Sequence, residues 1–212
     1  MGTLYCEPDH VTVNQLTAQS RSADELLARL DSRRSIPSRL LAEPGPDDAT
    51  LLRMLRSAVR VPDHGRRVPF RLLRIAGDAR RVLGERLVAR ARDRDPAVAT
   101  AVLAKDRQRF LHAPVVIAVI AKLGPDEKIP EQERLLSAGC VCFALLQAAG
   151  ALGYGAQWLT GWAAYDPVIT TQLGVAAEER IIGFVHIGTA TCEPADHARP
   201  DPADLLTDWP AA

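Results

Sequence analysis

A layered fold mixing helices with strands is predicted by two segments and by the order of the elements around them. The run "PVVIAVIA", Pro114 to Ala121, is unbroken, apolar and rich in β-branched residues. That is the pattern of a strand buried on both faces, and it is too short to cross a membrane. From Leu135 to Tyr165 no residue is charged, a length that would suit a membrane span. However, Gly150, Gly153 and Gly155 cluster inside it, Gln147 and Gln157 interrupt it, and "QWLTGW" reads as strand or loop. A buried helix, a turn and a strand are expected instead. A helix without charge on any face needs protein on all sides. In a chain of 212 residues, one domain's worth, it must be central or packed against a second subunit.

The remaining elements follow in chain order. Residues 1–20 are expected to form an extension ahead of a single domain over 21–212. Ser22 and Glu25 fit a capping box, and Leu26, Leu27 and Leu30 supply an apolar stripe, so a first helix is expected to run to about Arg33. Asp47 caps a second, with Leu51, Leu55 and Ala58 on one face and "VPDHG" ending it. "VPFRLLRIAG" reads as a strand. Residues 78 to 112 read as one or two Arg-rich helices broken near Pro96, with Val98 and Val102 facing inward. After the chargeless helix and "AQWLTGW" come a short helix near Asp166 to Leu173 and a strand, "RIIGFVHIG". The proline-punctuated tail "HARPDPADLL" is expected to lie across a surface or a partner.

Composition narrows the function. Net charge is zero and the sequence pI about 7.0, so no chain-wide field argues for nucleic acid or an anionic membrane. Lysine occurs only at Lys105, Lys122 and Lys128; positive charge is otherwise arginine, whose fork suits phosphate or carboxylate. Cys6, Cys140, Cys142 and Cys192 lack the spacing of a disulfide framework or zinc site. They are expected to be small buried residues in a reducing compartment. The N-terminus has no basic stretch followed by an apolar run, so a cytoplasmic location is expected. Neither a Walker loop nor G-x-G-x-x-G after a strand occurs, nor H-E-x-x-H, nor a nucleophile elbow, and the five histidines are scattered. What remains are anion-binding and stacking residues, which suit a cofactor that brings its own reactivity. Among them is "LDSRRS", whose arginines either complement a helix end or grip a phosphate.

Five short motifs then carry a resemblance: "RRS" at Arg33 to Ser35, "RVPDHG" at Arg60 to Gly65 with Pro69 and Phe70, "SAGC" at Ser137 to Cys140, "QWLTG" at Gln157 to Gly161, and "IIGFVHIGT" at Ile181 to Thr189. In this order and spacing they resemble the nitroreductase family, in its small single-domain FMN-dependent branch, from about Asp24 onward. The resemblance implies an α+β fold with a mixed central β-sheet flanked by helices, built as an intertwined homodimer with FMN at the interface. It implies NADH or NADPH as reductant and a small-molecule electron acceptor, such as a nitroaromatic or quinone, served by a ping-pong mechanism. Alternatives are an enzyme of the same fold acting on a specific metabolite, and a flavin-binding or interaction module without catalysis.

By the same resemblance, Arg33, Arg34 and Ser35 contact the flavin phosphate and ribityl chain. Arg60 and His64 reach the ribityl and ring, His64 from the partner subunit. Trp158, Leu159 and Thr160 lie beside the isoalloxazine, and Arg199 is a further phosphate ligand. No side chain acts as nucleophile, since flavin N5 carries the chemistry, and no metal is implied. Two departures matter. A basic residue often follows the tryptophan in this branch, whereas Leu159 stands here. Arg66 and Arg67 add charge near the cleft mouth, which favours an anionic substrate or the 2'-phosphate of NADPH.

Overall fold

A computed structural model describes residues 23–209. A first helix, α1, spans 23–31, shorter than the expected end at Arg33; its expected cap, Ser22, lies outside the described residues, as does Cys6. Then come β1 (Leu41–Ala42), α2 (Asp48–Ala58), β2 (Phe70–Ala76), α3 (Asp78–Arg94), α4 (Thr100–Gln108) and β3 (Val115–Lys122). The second half holds α5 (Glu131–Ala151), β4 (Gly155–Leu159), α6 (Pro167–Gln172), β5 (Glu179–Ala190) and α7 (Pro202–Leu205).

The strands run β1–β5–β3–β2, with β4 also on β5. This is the expected α+β class, but each pairing among the described residues is antiparallel, so the sheet of one chain is not mixed. β3 is buried on both faces because its alternate residues feed two cores. Val115, Ile117, Val119 and Ala121 pack with α2 and α5. Val116, Ala118 and Ile120 face the other way, toward Leu83 and Leu87 of α3, Phe110 and Ile169.

Local chemistry sets the helix ends. Asp47 accepts a bond from Thr50 N at 2.7 Å and caps α2, whose Leu51, Met54 and Ala58 are buried. Asp166 caps α6 by accepting from Val168 N and Ile169 N, with Pro167 in the first turn. Helix α5 opens with Glu131 and Glu133 at its positive pole. It stops at Gly153, whose φ of +81° favours glycine and brings Tyr154 N onto Ala149 O at 2.9 Å.

Two expectations fail on burial, and a third is not met within one chain. In α4 it is Leu103 that turns inward, and Val102 is exposed; Val98 packs as expected against the small cluster of Val88, Ala91 and Leu103. Of the described cysteines only Cys142 is buried, where desolvation pushes its thiol up to about 12 and keeps it unreactive. Helix α5 is buried on one side only. Leu136, Cys140 and Phe143 form an exposed stripe at four- and three-residue spacing, with Leu136 at 60% and Phe143 at 47% exposure. A single chain therefore leaves uncovered the face that its lack of charge says must be covered.

Candidate functional site

The end of α5 nearest Gly150 opens into a cleft of about 400 Å³. Its walls are α1 and the segment after it, the last turns of α5, the start of β4 and the exit of β5. Residues 33–38 are held there by two bonds to β4: Ile36 N donates to Ala156 O at 3.0 Å, and Ser38 N to Gln157 Oε1 at 2.6 Å. That zipper places Arg33 and Arg34 on the cleft wall beside Arg29, three cations against the single carboxylate of Glu193. Arg33 Nη1 donates to Ser35 Oγ at 3.3 Å, so the three residues expected to act together are together.

The donors in this cleft are incompletely used. Arg34 Nη1 donates to Glu193 Oε1 at 2.7 Å and to Pro194 O at 3.2 Å, while its buried Nε has no hydrogen-bond partner and only a longer ion pair, 3.7 Å to Asp196 Oδ1. Gln147 Nε2, across the cleft on α5, is likewise buried and unpartnered. Buried donors without acceptors are costly, commonly about 1–3 kcal/mol each, and two of them on residues that line one cleft suit an acceptor-rich ligand. Glu193 is no barrier to one. Its side chain is 80% exposed, and such surface pairs are worth about 0–1 kcal/mol, less than a set of charge-assisted bonds to a phosphate.

The other expected site residues lie elsewhere. His64 Nδ1 is 2.7 Å from Glu133 Oε2, at the opposite end of α5, and Arg60 is exposed at the end of α2. From Glu133 to Gln147 the helix spans about 21 Å at the usual rise, so one chain does not bring these residues to the cleft. Trp158 lies flat on β5: its Nε1 donates to Ile182 O at 3.2 Å, and a Cβ on Gly183 would sit 1.9 Å from that nitrogen. Its side chain is thus committed to packing, while Leu159 and Thr160 follow half-buried. Arg199 is exposed on the tail, bonded to His197 O at 2.9 Å; it does not line the cleft, but its Nη2 is 3.6 Å from Asp196 Oδ1, the same oxygen that lies 3.7 Å from Arg34 Nε. Arg67 is paired with Asp126 at 2.9 Å, which leaves Arg66, exposed at φ +52°, as the uncommitted charge of that pair.

Sequence reading missed Arg29 and the role of Gln147. The lone glutamine in an apolar helix was the available signal, since a polar group there needs a reason. It also missed a buried polar group beneath the end of β4, where Asp106, Arg109, Trp162 and His186 meet α4 and β5. His186 is 1% exposed and stacks on Phe110 at 5.6 Å. Burial first, then the charges of Arg109 and His112, lower its pKa from 6.5 to about 4. The fold therefore binds a proton at His186 less readily than the unfolded chain does, and stability falls as pH drops from about 6.5 toward 4. Urea unfolding is expected to show a loss of about 2 kcal/mol between pH 7 and pH 5, and the loss should shrink in His186→Leu. Equal pH slopes for the two proteins would contradict this. Glu179 adds a separate loss at lower pH, because its bonds to Arg71 hold its pKa near 2.

Comparison with known proteins identifies the family and the fold. The family model described as the nitroreductase family matches residues 30–189. The chain is 33% identical over 188 residues to "Putative NAD(P)H nitroreductase YdjA" of Escherichia coli K12, covering 86% of this chain and 98% of that protein. It is 31% identical over 166 residues to "Putative NAD(P)H nitroreductase" of Haemophilus influenzae, covering 78% and 88%. Among solved structures, the nitroreductase-like family protein from Bacillus cereus superposes with a TM-score of 0.73 at 22% identity, over 87% of this chain and 95% of that one. The Desulfovibrio desulfuricans protein described as "a putative nitroreductase in complex with FMN" gives 0.68 at 21%, over 88% and 98%.

Proposed function

Because this chain belongs to the nitroreductase family, we propose that it is an FMN-dependent NAD(P)H oxidoreductase, passing hydride to a nitroaromatic, quinone or similar conjugated acceptor by a ping-pong mechanism. The observation that carries the cofactor is the cleft at Arg34, where clustered guanidinium groups and two buried, unpartnered donors await acceptors. FMN fits that donor set: its phosphate is dianionic and its ribityl chain is rich in oxygen. Bound FMN supplies a carrier that takes a hydride from reduced nicotinamide and gives it up again.

The chain's own residues bind and orient. Arg33 and Arg34 neutralise the phosphate, and Ser35 offers a hydroxyl to the phosphate or ribityl. The backbone of Trp158 to Thr160 flanks the ring, with the Trp158 indole pinned to β5 so that the main chain rather than the side chain faces the cofactor. Arg60 and His64 come from a second copy. A two-fold axis at the exposed stripe of α5 sets the Glu133 end of one helix beside the Gln147 end of the other, which removes the separation within one chain. The same pairing covers Leu136, Cys140 and Phe143. The active unit is then a homodimer with two clefts, working in the cytoplasm, each chain contributing one domain over 21–212 with residues 1–20 as an extension.

With no second nucleotide pocket needed, reductant and acceptor use one cleft in turn. Initial rates with NADPH varied at several quinone concentrations should give parallel double-reciprocal lines. Converging lines, which require both substrates bound together, would refute the ping-pong assignment.

A further inference from the structure

We propose that buried Asp106 and partly buried Arg109 are a positioning pair that sets the turn at Gly161, and through it the 158–160 segment that flanks the flavin; this rests on the FMN reading above. Asp106 is 2% exposed. One of its oxygens, Oδ1, accepts from Arg109 Nη2 at 2.8 Å and from Trp162 Nε1 at 3.1 Å. One carboxylate thus ties the end of α4 to the first residue after Gly161.

Gly161 is glycine for two separate reasons. Its φ of +65° and ψ of 176° lie where a side chain is strained. In addition, a Cβ there would stand 2.8 Å from Arg109 Nη1. The guanidinium therefore lies against bare backbone at the point where β4 ends. Further anchors hold the chain just beyond: Arg94 sits 5.3 Å over the Trp162 ring, and Arg90 Nε reaches both oxygens of Asp166 at 3.1 and 3.0 Å.

A pair retained only for stability makes little sense here. Buried ion pairs stabilise no better than well-packed apolar groups, and this one leaves Arg109 Nε buried without a partner. Local rules are broken in this way where a backbone must be held for function. What the pair holds is the path from Leu159 to Trp162, at the edge of the flavin-flanking segment.

Asp106→Asn and Arg109→Lys separate positioning from packing, the second keeping the charge but losing the planar fork. Amide exchange at residues 159–164 is read on the protein without flavin; FMN affinity and the visible spectrum of bound FMN are read on reconstituted protein. Both variants should exchange faster in this segment, bind FMN about tenfold more weakly and shift its absorption band. Should Asp106→Asn fail to fold, Arg109→Lys decides alone. Folded variants with wild-type affinity and spectrum would overturn the proposal, even if their segment exchanged faster, because the pair would then serve packing only. A wild-type protein that binds no FMN in the same titration sinks the FMN reading, and this proposal with it.

Discussion

Arg34→Gln is expected to strip FMN from the protein, with affinity falling on the order of a hundredfold. That factor is about 2.7 kcal/mol, within the range for losing one or two hydrogen bonds to a charged group. Arg34 is singled out because its segment is zipped to β4 by Ile36 and Ser38 and because its buried Nε makes no hydrogen bond, only a 3.7 Å ion pair with Asp196. Arg34→Lys should recover part of the loss, since an ammonium keeps the charge without the fork. Arg33→Gln should cost less, because Arg33 has no buried donor left without a hydrogen bond, as Arg34 has at Nε. Fluorescence titration of the apoprotein with FMN reads all three. An Arg34→Gln protein that binds FMN like the wild type would place the phosphate elsewhere.

Phe143→Glu is expected to convert a dimer to a monomer at micromolar concentration and to abolish flavin binding together with it. Phe143 is the last residue of the exposed stripe of α5, and a two-fold interface meets the substitution twice, once from each copy. An unpaired carboxylate buried there costs several kcal/mol per copy, enough to dissociate an interface of ordinary affinity. In the single chain the position is open to water, so the fold itself should survive with an unchanged helical spectrum. Loss of FMN is expected because Arg34 and His64 lie near opposite ends of α5 and need two copies to meet. Sedimentation with absorbance detection at the flavin wavelength reads both effects. A dimer that persists, or a monomer that keeps its flavin, would contradict the shared site.

What could be read in the sequence was what local physics determines. The buried strand at Val115–Lys122 announced itself by an unbroken apolar run to Ala121, five of its seven residues β-branched, and α2 and α6 by the aspartates that cap them. The clustering of Arg33 and Arg34 beside Ser35 was legible because the three are contiguous. Other features depend on partners distant in the chain. Strand direction is not written in a strand's own composition, so the antiparallel pairings of β5 were not foreseen. Val102 and Leu103 are adjacent apolar residues in a helix of nine, and only packing decides which turns in. Asp106, Arg109 and Gly161 meet across more than fifty residues and match no motif. The exposed stripe of α5 shows the converse: the absence of charge demands a cover that one chain does not supply.

The most direct measurement is the visible absorption spectrum of the purified protein, before and after anaerobic NADH or NADPH, with the released chromophore identified. An FMN-dependent oxidoreductase gives a flavin spectrum that bleaches on adding reductant and returns with a quinone or nitroaromatic. A colourless protein that takes up no added FMN, or a bound flavin that neither nucleotide reduces, would contradict it.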